Sequence, residues 1–295
     1  MFFEMKGIFS KYKEEIRNFN NIVLYYLICL VLIYLYRKGI SKIYTAFINY
    51  FKIFETDLVS LYSTVIDLVV VIIVVRFFLK HSFSAMGYGK ENIVRKYFKG
   101  VLFGFMLFFI CFSALYLMGY VNIGFSTNFN MVLLILYVFG YMIQGMAEEV
   151  ALRGFFFSEI SNIFGILPGM LLSSFAFSAL HLGNSGMTVL AFINLVLFGI
   201  FAALIYYLTE NLWFVGGLHS MWNFTQGNIF GFEVSGYVSD TSILSSSIPE
   251  NNTIITGGIF GIEGSIILTF IYIVLIIISV RMILKKCEKY KFILN

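Results

Sequence analysis

Long apolar stretches run through most of this chain, broken by short polar or basic intervals. Eight of them read as candidate membrane helices, near residues 22–36, 57–79, 100–121, 131–157, 165–183, 188–208, 212–228 and 264–284. The sixth and seventh are separated only by Thr209, Glu210 and Asn211. The chain shows no internal repeat and no soluble domain. The expected fold class is therefore an all-α polytopic membrane protein of about eight transmembrane helices. It divides into N-terminal helices (1–130), a core (131–228), a loop (229–263), and a final helix with a basic tail (264–295).

Composition agrees with the pattern. Of 295 residues, 60% are hydrophobic and 12% charged, where a soluble domain carries about 25% charge. The 35 Phe and 19 Tyr suit lipid-facing surfaces and interfacial belts. The net charge of +4 does not indicate nucleic acid, because the basic residues cluster between the spans and set orientation. The tail carries Arg281, Lys285, Lys286, Lys289 and Lys291. Residues 229–263 have no Lys or Arg and carry Glu233, Asp240, Glu250 and Glu263. This places the tail in the cytoplasm and that loop outside. Eight spans then put the N-terminus, with Lys6, Lys11, Lys13 and Arg17, inside as well, in a multi-pass protein of the cell membrane. Arg37, Lys38, Lys42 and Lys52 dissent, so 40–56 is an interfacial helix or the first span does not cross as drawn. The mixed-charge first 20 residues do not read as a signal peptide. Cys29, Cys111 and Cys287 are read as free thiols, since no pair has metal or redox spacing.

Against this background Glu148 and Glu149, followed by Arg153, stand out in MVLLILYVFGYMIQGMAEEVALRGFFF. A carboxylate in hydrocarbon costs several kcal/mol unless it is paired or meets water. Glu149 and Arg153 are four residues apart and share a helical stripe, so they are expected to pair. Glu148 points about 100° away round the helix and is left for another task. The bland alternative is a buried Glu–Arg staple beside a carboxylate with no chemical role.

The chain has three histidines, and two, His181 and His219, fall in later apolar stretches. A helical hairpin turning near Ser161–Pro168 would bring Glu148 and His181 to equal depth, since both are equally far from the turn. His219 and Asn223 share a face of the seventh span, beside Gly216 and Gly217, which allow close helix approach. By residue count His219 lies about 10 Å shallower than His181. Asp67 is expected to pair with a neighbouring helix or line a cavity. Gln144, Asn194 and Gln226 read as interhelical glue, and His81 as an ordinary loop residue.

A glutamate with a histidine can deprotonate a water between them. A second histidine and an amide can donate to a developing oxyanion. That combination suits peptide-bond hydrolysis in a polar catalytic cavity between spans 4, 5 and 7. Glu148, His181 and His219 could instead hold zinc with a water as fourth ligand, although HExxH is missing. Gly183-Asn184-Ser185-Gly186 with His219 allows a rhomboid-like serine–histidine reading, which leaves Glu148, Arg153 and His181 unexplained. A proton-coupled transporter using Glu148 and Asp67 is weakened by the missing repeat.

With these residues in hand, the chain resembles the CPBP family, the CAAX-protease and bacteriocin-processing (Abi-type) membrane proteins. EExxxR stands as Glu148-Glu149-Val-Ala-Leu-Arg153, FxxxH as Phe177-Ser-Ala-Leu-His181, and HxxxN as His219-Ser-Met-Trp-Asn223. The motifs cover about residues 145–225, the family's core domain. The resemblance implies an eight-helix endopeptidase. Glu148 and His181 would activate water, His219 and Asn223 would hold the oxyanion, and Arg153 would brace Glu149. Type II CAAX prenyl endopeptidases belong to this family, so the implied partners are the membrane and a peptide or protein substrate, either prenylated or like a bacteriocin leader. No cofactor or metal is expected, with zinc as the alternative. A non-catalytic membrane scaffold or immunity-type partner is the competing class.

Overall fold

The computed structural model describes residues 56–294, except 79, 84, 85, 90 and 250–252. The expected first span, the dissenting basic loop and the N-terminal orientation lie outside the described residues. Helix α1 (Thr56–Ile73) runs into a π turn, Val74–Phe78, and α2 spans Ile93–Leu117. Helix α3 (Met131–Glu149) continues through a π segment, Val150–Phe157, into α4 (Ser158–Phe164). Then follow α5 (Ile166–Ala179), α6 (Val189–Thr209) and α7 (Leu212–Phe224), which ends in a π turn, Thr225–Ile229. A short α8 (Thr253–Thr256), two 3-10 turns (Gly258–Phe260 and Ile262–Gly264) and α9 (Ile266–Leu294) complete the order.

Among the described residues, five helical runs are long and apolar enough to cross a membrane: Leu58–Phe77, Ile93–Leu117, Met131–Phe164, Val189–Thr209 and Ile266–Lys286. The protein is thus a helical, multi-pass membrane protein. Helix also occupies the expected segments at 165–183 and 212–228. There, however, α5 has 14 residues and α7 has 13, short of the roughly 20 that cross a bilayer. The expected span at 100–121 begins earlier, at Ile93. Arg95, Lys96 and Lys99 fit its first turns because their long stems can lie along apolar surface while their charges reach water.

Local sequence explains the breaks. Asn130 caps α3, its side chain accepting from the backbone N–H of Val132 and Leu133 at 3.0 and 3.1 Å. Thr188 and Asn211 cap α6 and α7 in the same way. Gly165, with φ 95°, turns the chain between α4 and α5, a conformation side chains other than glycine seldom adopt. Pro168 follows within the first turn of α5, where its missing N–H costs nothing. The hairpin it closes is tight: a Cβ on Gly169 would lie 2.1 Å from Ser161 Oγ.

Helix α7 sits at the centre. A Cβ on Gly100 or Gly104 of α2 would lie 2.0 or 2.3 Å from the carbonyl oxygens of Phe214 or Leu218. One on Gly145 of α3 would meet Ser220 at 2.5 Å. Backbones therefore touch where these glycines stand, which is how helices associate when lipid supplies no hydrophobic drive. Trp222, Phe108, Phe201 and Tyr272 fill the core beside α7, while Phe98, Phe175 and Phe270 are exposed on the helices.

One end of the bundle carries a structure absent from the sequence reading. Strands β1 (Asn122–Phe125) and β2 (Leu244–Ser247) pair antiparallel, with Asn122 opposite Ser247 and Phe125 opposite Leu244. They tie residues 241–247 to this end of the bundle. Tyr137 donates to Asp240 at 2.6 Å, Asn228 to the Thr241 carbonyl at 2.7 Å, and Thr241 accepts from Asn130 N–H at 2.8 Å.

Candidate active site

Glu148 and Glu149 lie midway along the run Met131–Phe164, where α geometry changes to π. The neighbours have different surroundings. Glu149 is fully buried, and its Oε1 accepts from Arg153 Nη1 at 2.9 Å and from His219 Nδ1 at 2.8 Å. Glu148 is the more exposed, at 13% of its side chain. Its Oε1 accepts from Gln144 Nε2 at 2.8 Å, and its Oε2 lies 3.9 Å from His219 Nε2.

Arg153 is buried completely and lies over two aromatic rings, 5.0 Å from the centre of Phe177 and 5.6 Å from that of Phe198. A second guanidinium nitrogen donates to the Gly199 carbonyl at 3.4 Å. The cation is held by one carboxylate oxygen, one carbonyl and two ring faces, which offsets its removal from water. Ser158 donates to the Arg153 carbonyl at 3.0 Å, satisfying a backbone oxygen within the π segment.

The histidines pack round the same rings. His219 meets Phe198 edge-on at 5.1 Å and Phe177 at 5.9 Å. His181 lies 4.8 Å from Phe177, the first residue of its own FxxxH motif. It does not sit within a helix as expected, because α5 ends at Ala179 and His181 occupies the following turn. The depth counted along an unbroken helix therefore does not apply to it. Its Nδ1 is 2.8 Å from the Phe177 carbonyl. A carbonyl only accepts, so in the neutral ring Nδ1 carries the proton and Nε2 keeps its lone pair. For His219 the same reasoning puts the proton on Nδ1, toward Glu149.

Asn223 reaches the glutamate indirectly. Its Nδ2 donates to Gln144 Oε1 at 2.9 Å, and Gln144 Nε2 donates on to Glu148. Gln144 is thus a link between two candidate residues as well as between α3 and α7. Asn194 does act as glue: it donates to the carbonyls of Glu263 and Ser265 at 2.8 Å each and accepts from Thr269. Gln226 donates to the Glu233 carbonyl and, at 3.4 Å, to Glu263. Asp67 is buried on α1. His81 is not an ordinary loop residue: it is buried, with Nε2 2.9 Å from the buried Glu159 carboxylate.

Glu263, read from the sequence only as a loop acid, also belongs to this neighbourhood. Burial pushes its carboxyl up; hydrogen bonds from Ser235 and the nearby charges of His181 and His219 oppose this. The glycines around it in GGIFGIEG were the available signal. The ring nitrogens of His219 face Glu149 and Glu148, whereas the serine–histidine reading needs one of them at Ser185. Among the described residues, no three His, Cys, Asp or Glu side chains are grouped as a metal site.

Neither a curated protein nor a solved structure matches the chain. Residues 128–225, about a third of the chain and the stretch that holds all three motifs, match the family model described as Type II CAAX prenyl endopeptidase Rce1-like.

Proposed function

We propose that the protein is an intramembrane endopeptidase that uses Glu148 as its general base. The observation that carries this reading is the division between the two glutamates. Glu149 is committed to Arg153 and His219, while Glu148, the more exposed, lies 3.9 Å from His219 Nε2. Glu148, with the free Nε2 of His181, takes a proton from water. The resulting hydroxide adds to the scissile carbonyl. His219, protonated with Glu149 at its back, and Asn223 donate to the oxyanion that forms. Collapse breaks the C–N bond, and the proton held by Glu148 passes to the leaving amine.

The family match supports a protease, and the substrate class follows by analogy: a prenylated peptide tail, with a leader peptide as the second kind. The test is cleavage by the purified protein in lipid, read by mass spectrometry, of prenylated and unprenylated peptides side by side. Preferential cleavage of the prenylated peptide supports the reading. Cleavage of unprenylated leaders alone shifts the substrate class, and cleavage of neither favours a non-catalytic scaffold.

A further inference from the structure

The turn that carries His181 has little helix to hold it. It begins where α5 ends, and Leu180, Leu182 and Gly183 around it are exposed. Its fixed points come from elsewhere. Asn184 N–H donates to the His181 carbonyl at 3.0 Å, and the Asn184 side chain donates to the Ser235 carbonyl at 2.9 Å. Ser235 in turn donates twice to Glu263 Oε2, from its N–H at 2.6 Å and its hydroxyl at 2.8 Å. The same oxygen accepts from Gln226 Nε2 at 3.4 Å. Gln226 stands in the π turn that continues α7, three residues beyond Asn223 and seven beyond His219.

One buried carboxylate oxygen therefore receives the His181 turn, through Ser235, on one side and the helix of His219 and Asn223 on the other. The backbone around it is anchored independently. Asn194 of α6 holds the carbonyls of Glu263 and Ser265, and Gly261, at φ 86°, packs against the Glu233 carbonyl, whose oxygen would lie 2.0 Å from a Cβ placed there. Loops normally open more readily than the elements they join, and this arrangement removes that freedom from the turn.

We propose that Glu263, which lies beyond the segment matched by the family, is a positioning residue that holds the His181 turn in register with His219 and Asn223. The inference rests on the endopeptidase reading for its consequence in catalysis, but not for its geometry. A base and an oxyanion pair on separate elements must keep their spacing, and a misplacement of about 1 Å costs on the order of 100-fold in rate.

The test uses the full-length protein in lipid nanodiscs with 15N-labelled histidine. Three histidines give three ring spin systems, assigned by single His→Gln variants, and His81, paired with Glu159 elsewhere, is the internal control. Glu263→Gln is expected to move the ring resonances of His181 and to leave those of His81 in place. In the peptide assay it is expected to lower kcat by roughly 10- to 100-fold with KM nearly unchanged, and Glu263→Asp is expected to recover part of the loss. Ser235→Ala, which removes one donor and keeps the buried carboxyl group, gives a smaller change of the same kind and answers the question should Glu263→Gln not fold. Unmoved His181 resonances in folded variants, or equal movement of all three histidines, overturns the proposal. If wild type cleaves no peptide, the endopeptidase reading fails, while the spectra still decide the positioning role.

Discussion

Glu149 and His219, 70 residues apart, meet at 2.8 Å through the carboxylate oxygen that also holds Arg153. The glutamate that resembles a structural brace is therefore also the group that sets the proton of a candidate oxyanion donor. Its neighbour, Glu148, is the more exposed of the two and is the base in the proposed mechanism. Adjacent carboxylates in a dry bundle would repel one another, and committing one of them to Arg153 relieves that cost.

Glu148→Gln is expected to abolish peptide cleavage while thermal unfolding in detergent stays that of the wild type. The amide keeps the shape and can still meet Gln144, but it cannot take a proton from water. A variant that still cleaves at the wild-type rate removes Glu148 from the role of base.

Arg153→Ala is expected to lower stability as well as activity. It leaves Glu149 buried beside His219 without its guanidinium, a loss of roughly 3–5 kcal/mol. Thermal unfolding reports it, and a midpoint within error of the wild type would show that the pair contributes nothing to the fold.

Gln144→Leu keeps the volume and deletes both amide hydrogen bonds, the one from Asn223 and the one to Glu148. A loss of about tenfold in kcat is expected, since orientation is lost and no reacting group is removed. Separate determination of kcat and KM checks this. An effect confined to KM would make Gln144 a contact for the substrate.

Strong chelators are expected to leave activity unchanged, and the purified protein is expected to carry no stoichiometric zinc. Elemental analysis decides. One zinc per chain, lost with activity and restored on adding it back, would make Glu148, His181 and His219 ligands and displace His219 from the oxyanion.

The helical architecture and the Glu149–Arg153 pair were legible because both obey local rules. Apolar runs mark helices, and a spacing of four residues marks the Glu149–Arg153 pair. The Glu149–His219 contact was not legible, because nothing local ties residues so distant in sequence. Gln144 had the right spacing from Glu148, yet an amide among apolar residues also reads as glue. Glu263 and His81 were hidden for a different reason. Each lies outside the regular helices, where periodicity says nothing about burial. The end of α5 was placed too late because the apolar residues continue through Leu182 after the helix has stopped at Ala179.

The π segment at Val150–Phe157 has a consequence for how this sequence can change. A π turn carries about one residue more than an α turn yet still completes one turn, so a widened stretch can absorb an added residue without rotating what lies beyond it. Glu149 before the segment and Glu159 and Ser161 after it can therefore keep their contacts with His219, His81 and the hairpin at Gly169 together. A one-residue deletion in the ordinary α-helix on either side would instead turn everything beyond it by about 100°. Changes in length are thus expected to be borne within Val150–Phe157 and not in the helix that flanks it.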